Sequence, residues 1–234
     1  MRNRLEDVGL KKGDGLLKKF GLMMGALSLF ILILTGCDQQ PEPVDEILSI
    51  YEWVAQGESV LADLNQQKQD LMGREKELRG LIIYGGADSN LAVLSLIEEM
   101  IESIQSRQGL MEEQIRIMEE TKEELEAANL LIEAISAGEI REMFLHVQAL
   151  HQERYETFME LAEHYLETTR EELRFYALLQ EEEQSLRDLE SITIELNQRA
   201  IIEDELQEAL SQVSVRLNAA INVLARGLEE RESG

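Results

Sequence analysis

Three histidines, His146, His151 and His164, are all that the chain has, and they fall in one stretch. Imidazole is the usual choice for zinc ligation or for proton transfer near neutral pH. A helical zinc site places two histidines four residues apart on one face, whereas these are spaced by 5 and 13. A di-iron bundle repeats Glu-x-x-His on two helices. The pairs here, Glu142–His146 and Glu160–His164, are each four apart and share one stretch. They read as ion pairs on a solvated helix face, so no metal is expected. The carboxylates are numerous, with 47 Asp and Glu, but they run as Glu181-Glu182-Glu183 or Glu203-Asp204-Glu205. A glycosidase pair needs an apolar cleft that raises one of its two pKa values. No G-x-S-x-G, P-loop or C-x-x-C occurs, and the glycines of Gly80 to Gly86 lack the Lys-Ser/Thr of a phosphate loop. No catalytic residue and no cofactor are expected, and the chain reads as a non-enzyme.

The one cysteine is different. Cys37 follows a cationic segment (Arg2, Arg4, Lys11, Lys12, Lys18, Lys19) and a 15-residue apolar run, Phe20 to Leu34. A membrane-spanning helix needs about 20 such residues, so the run suits the apolar region of a signal peptide. Leu34-Thr35-Gly36-Cys37 resembles the lipobox of bacterial lipoproteins. Small residues before the cysteine admit the backbone to a peptidase. The thiol is first alkylated with diacylglycerol, and cleavage leaves Cys37 as the new N-terminus. Two or more acyl chains anchor stably at ~0.8 kcal/mol per buried CH₂, where one is marginal. The alternatives are a stray or buried cysteine and an uncleaved signal anchor. The lipobox reading divides the chain into a signal peptide (1–36), a lipidated cysteine with a tether (37–43) and a helical domain (44–234). It places the protein on the extracytoplasmic face of the cell membrane, held by its lipid. With no second cysteine there is no intrachain disulfide, and stability rests on packing.

The elements that would position any site are helices. Aromatics are only 5%, and no proline follows Pro43, a composition unsuited to an all-β sandwich. Residues 38–234 carry 44 acidic and 16 basic side chains, a net charge of −28. That excludes nucleic acid, whose binding needs clustered cations. Apolar residues recur at alternating steps of three and four, the mark of helix–helix seams. A first helix spans about 44–84, with Lys68 and Glu75 interrupting its seam. Gly85-Gly86-Ala87-Asp88-Ser89-Asn90 is a turn, and a second helix spans about 89–136. Ser136-Ala137-Gly138-Glu139 offers a hairpin or a kink, with a capping box between Ser136 and Glu139. A third helix covers about 139–183, and a fourth follows a break near Ser185 to Asp188. The fold expected is all-α, an elongated antiparallel bundle or spectrin-like rod of three to four long helices. The seam breakers Lys68, Glu75, Lys122, Arg199 and Glu203 would snorkel or fix register.

The third helix holds six of the mature chain's aromatics. Tyr155, Phe158, Tyr165, Phe175 and Tyr176 read as a core row or as a candidate interaction surface, since tyrosine favours interfaces. Tyr51 and Trp53 share that ambiguity. Cation choice adds a hint. The mature part has thirteen arginines and three lysines, Lys68, Lys76 and Lys122. Arginine keeps its charge where lysine loses it near pH 10.4, which suits an alkaline or saline exterior. Drift in an arginine-rich genome gives the same composition.

Three stretches resemble the YkyA-type family of cell-wall binding lipoproteins of Gram-positive bacteria. They are Val44-Asp45-Glu46-Ile47 through Glu75-Lys76-Glu77-Leu78, then Glu119 through Glu126, and Glu153-Arg154-Tyr155-x-x-Phe158 with Tyr165 and Phe175-Tyr176. The resemblance covers nearly all of 38–232 in layout. It implies a place at the envelope, contact with the wall and lipidation at Cys37; it carries no enzymatic residue. Partners expected are the membrane, through the anchor, and a cell-wall polymer or an envelope protein. The function expected is a spacer, adaptor or wall-interaction module. The competing reading is a module that accepts a partner helix on the third helix's aromatics. Lysine scarcity sets the chain apart from its lysine-rich relatives.

Overall fold

A computed structural model describes residues 43–84, 90–181 and 185–232. Four helices fill them: α1 (Pro43–Tyr84), α2 (Asn90–Ala134), α3 (Glu139–Leu179) and α4 (Leu186–Glu232). They are 41 to 47 residues long, or roughly 60–70 Å at 1.5 Å per residue. The lipobox and the glycine turn at 85–89 lie outside the described residues. No described helix is long and apolar enough to cross a membrane.

The ends follow local chemistry. Pro43 opens α1, where its missing N–H costs nothing, and Asp45 and Glu46 meet the positive helix terminus. Ser185 caps α4, its Oγ accepting the Asp188 N–H at 3.3 Å. Gly138 is the N-cap of α3 in an extended conformation, with no side-chain cap. This corrects the expected capping box. The helix starts at Glu139, so Ser136 stands two residues before the cap and too far out to serve its first turn. The segment is a hairpin, not a kink. At the far end of α3, the N–H groups of Gln180 and Glu181 bond Ala177 O and Leu178 O, which closes the helix at 179 rather than 183.

Each helix packs mainly on the next: α1 on α2, α2 on α3 and α3 on α4. Three apolar clusters show their directions. One end joins Ile47 of α1, Ile132 of α2, Phe144 of α3 and Leu224 of α4. The middle joins Leu61, Met111, Phe158 and Tyr165, with Leu210 of α4 against it. The other end joins Leu78, Ile97, Met100 and Tyr176. Starts therefore meet ends, and the chain forms an up-down-up-down four-helix bundle. Phe144 and Ile47 are fully buried, and each such side chain contributes about 1.5–3 kcal/mol by burial. Between the middle and far clusters the interior turns polar.

Candidate functional site

The polar layer begins with the two residues that break the α1 seam. Lys68 and Glu75 do not snorkel; they are 5% and 3% exposed. One and two heptads beyond Leu61, the helix turns both inward, and a buried charge must then find partners. Lys68 Nζ donates to Gln114 Oε1 at 3.2 Å and lies 4.7 Å from the centre of the Tyr165 ring. Gln114 Nε2 in turn donates to Leu61 O at 3.4 Å. Glu203 of α4 faces the lysine across the bundle and pulls its pKa up. Burial dominates, however, and brings Lys68 down to about 8. Burial also raises the Glu203 carboxyl above the ordinary carboxylate range, against the pull of Lys68.

Two turns further along, Arg107 of α2 is the hub. Its Nε donates to Glu75 Oε1 at 2.7 Å, Nη1 to Tyr165 Oη at 2.8 Å and Nη2 to Glu172 Oε2 at 2.5 Å. Ser103 Oγ adds a second donor to Glu75 Oε1 at 2.8 Å. Burial pulls the guanidinium down, but Glu172, Tyr165 and Glu75 outweigh it and hold the group well above its ordinary value. Burial pushes Tyr165 up to about 12, with Arg107 opposing. Gln108 Nε2 closes the layer on Thr169 Oγ1 at 3.0 Å. Within this layer Lys68, Glu75 and Arg107 each have a partner, whereas elsewhere in the bundle Tyr51 Oη and Thr121 Oγ1 are buried without one. The chemistry available to such a layer is alignment: it fits in one register only, because a slip of any helix strands a charge.

The histidines do not converge. His146 is exposed, and His151 is buried with its ring centre 5.9 Å from that of Tyr51. His164 Nε2 lies 2.9 Å from Arg199 O. Among the described residues no three His, Cys, Asp or Glu side chains gather as a ligand set. Burial, and secondarily Arg154, lowers His151 to about 3. The aromatic row of α3 splits. Phe158, Tyr165 and Tyr176 are core, whereas Tyr155 and Phe175 are half-buried. An exposed stripe made of all five is therefore not what the bundle presents. Phe175 packs edge-on against Tyr176 with centres 5.3 Å apart, and Lys122 Nζ covers Tyr155 at 4.9 Å. Tyr51 is half-buried, and Trp53 is 40% exposed. Two recesses among the described residues are shallow. One of about 290 Å³ lies between α2 and α3 beside Lys122 and Tyr155, and one of about 460 Å³ between α3 and α4 beside His146 and Val223.

Sequence reasoning missed Arg107, Gln114 and Glu172. A signal existed: two buried charges on one seam demand complementary groups at the same levels of the facing helices. The outer surface is acidic in a specific way. Arg116 pairs with Glu113 and Glu120, Arg199 with Glu167 and Glu195, Arg74 with Glu99, and Arg216 with Glu153. Arg154 of α3 spans to Glu58 of α1 and to Ser214 of α4, the latter at 3.2 Å. With these cations engaged internally, what the surface offers a ligand is mostly carboxylate.

A family model described as "Putative cell-wall binding lipoprotein", YkyA, matches residues 42–222. A crystal structure of a conserved protein of unknown function from Staphylococcus aureus shares the fold at a TM-score of 0.54 and 11% identity. The match covers 82% of this chain and 97% of that one. No curated protein matches the chain.

Proposed function

The chain belongs to the YkyA family, and on that premise we propose that it is a non-enzymatic, lipid-anchored spacer or adaptor. It stands on the extracytoplasmic face of the membrane and contacts the cell wall through bridging divalent cations. The family match over 42–222 carries the reading. Leu34-Thr35-Gly36-Cys37 supports the anchor, and Asp38 to Glu42, ahead of α1, supply the tether. The charge supports the bridging. A −28 chain is repelled by anionic lipid and by phosphate-bearing wall polymers within a screening length of ~8 Å. Several of the arginines that would offset this, Arg116 and Arg199 among them, are held by neighbouring glutamates. Hard divalent cations, which take oxygen ligands, can join carboxylate to phosphate.

Two measurements test it. Cys37→Ser should move the protein from the membrane fraction to the medium; retention of the variant at the membrane sinks the anchor. Purified sacculi should retain the protein in millimolar Mg²⁺ and release it in EDTA. Retention in neither condition sinks wall contact, and equal retention in both sinks the cation bridge.

A further inference from the structure

Helix α4 is apolar on two opposite sides. Its inner seam, with Ile192, Val213, Leu217 and Leu224, is buried in the bundle. Its outer side carries Ile194, Ile201, Val215 and Val223, which are 53%, 63%, 64% and 45% exposed. Single exposed aliphatics are ordinary. These four are not scattered. Ile194, Ile201 and Val215 lie on seven-residue steps, and Val223 falls eight beyond, so all project from one face along about 44 Å of helix. A helix with two apolar faces is built to be covered on both. The step missing from the series is Glu208, exposed and held by the Gln212 amide at 3.1 Å. Glu190 and Glu205 are exposed on the same face, and the exposed Arg216 beside it is engaged by Glu153.

We propose that the outer face of α4 from Ile194 to Val223 docks a basic amphipathic helix of another protein, with Glu208 reading a lysine or arginine on it. Seven-residue spacing is the pattern that a facing helix matches, and the carboxylates interleaved on this face favour a cationic one. The same charges disfavour a second copy of this chain. Glu208 sits at the midpoint of the stripe, so parallel or antiparallel pairing of two α4 helices sets Glu208 against Glu208. They also disfavour an anionic lipid surface. The proposal is independent of wall contact.

The test uses the whole mature protein and a synthetic 30-residue helix as probe. The probe carries leucine at the matching steps, one lysine opposite Glu208 and basic flanks; its affinity is measured at physiological and raised salt. Ile201→Asp with Val215→Asp should weaken binding at least tenfold while leaving the circular dichroism unchanged, since both sites are exposed. Glu208→Lys should weaken it severalfold, and a probe with glutamate for that lysine should restore it. In cells, a photo-crosslinker at Gln198 should attach a protein through a segment of this pattern. Equal affinity of the double aspartate variant means charge alone binds, and overturns the proposal. So do failure of the charge swap, crosslinking to lipid, and a dimer that the double variant dissociates.

Discussion

Arg107 of α2 and Glu75 of α1 pair at 2.7 Å with each side chain only 4% exposed. The pair joins the first two helices at the level where α3 brings in Tyr165 and Glu172. A buried ion pair contributes little net stability, because desolvation offsets attraction, but removing one partner strands the other. Glu75→Gln or Arg107→Met alone should each cost about 3–5 kcal/mol. Changing Glu75, Arg107 and Glu172 together to leucine or methionine should recover most of that loss. Urea unfolding of the full mature chain gives the comparison. Single variants within 1 kcal/mol of the parent would show that the layer does not constrain the bundle.

The helices were legible because burial writes itself along a seam at fixed steps. Ile47, Val54 and Leu61 fall on those steps and are buried. The break before the fourth helix was legible only from length, near Ser185 to Asp188, and the structure adds that Ser185 caps α4 there. The polar layer was only half legible. Lys68 and Glu75 stood out as breaks in an apolar series, but their partners come from other helices, and pairing across 32 residues leaves no local mark. The aromatics of α3 were ambiguous for the opposite reason: ring size signals burial and binding alike, and only the packing of Tyr165 under Lys68 and Arg107 separates the two.

Lys68 gives the bundle an unusual alkaline response. Its folded pKa, about 8, lies below the unfolded value near 10.4. Between the two the unfolded chain holds the extra proton, so this group makes stability rise with pH, a gain of about 3 kcal/mol across the window. Below pH 8 both states are charged, and the contribution is flat. Other groups deprotonate in the same range and oppose the trend, so the reading is a difference. A Lys68→Met, Glu203→Leu variant should lose the rise between pH 8 and 10.5 relative to the parent in urea unfolding. Parallel pH profiles for the two proteins would exclude the role of Lys68.

Interior glycines mark places where the bundle is less stable than its fold allows. A methyl group added at Gly73, Gly80 or Gly109 would meet nothing within 4 Å. Each lies inside a helix, where glycine costs roughly 0.5–1 kcal/mol relative to alanine. Converting all three to alanine should therefore add about 2 kcal/mol and raise Tm by about 4–8 °C for a chain of this size. Gly227 is the contrast, since an added Cβ would fall 2.9 Å from Met143 Sδ. Gly227→Ala should gain less than the others, with calorimetry beside them as the measurement. A triple variant that melts at or below the parent would mean these positions serve something other than the isolated bundle.

His151 sets the acid limit. It is buried beside Tyr51, and burial, aided by the Arg154 charge, lowers its folded pKa to about 3. The unfolded chain takes up a proton near pH 6.5. Between those values the unfolded state binds more protons, so stability falls as pH falls, by about 2 kcal/mol at pH 5. The fall is absent above pH 7, where the ring is neutral in both states. Acidification also relieves the general repulsion among the carboxylates, which works the other way. His151→Leu separates the two effects, since leucine keeps an apolar body at the site and cannot take the proton. The parent should lose several degrees of Tm relative to this variant on going from pH 7.5 to pH 5. Should the gap between them stay constant over that range, His151 is not the group that titrates.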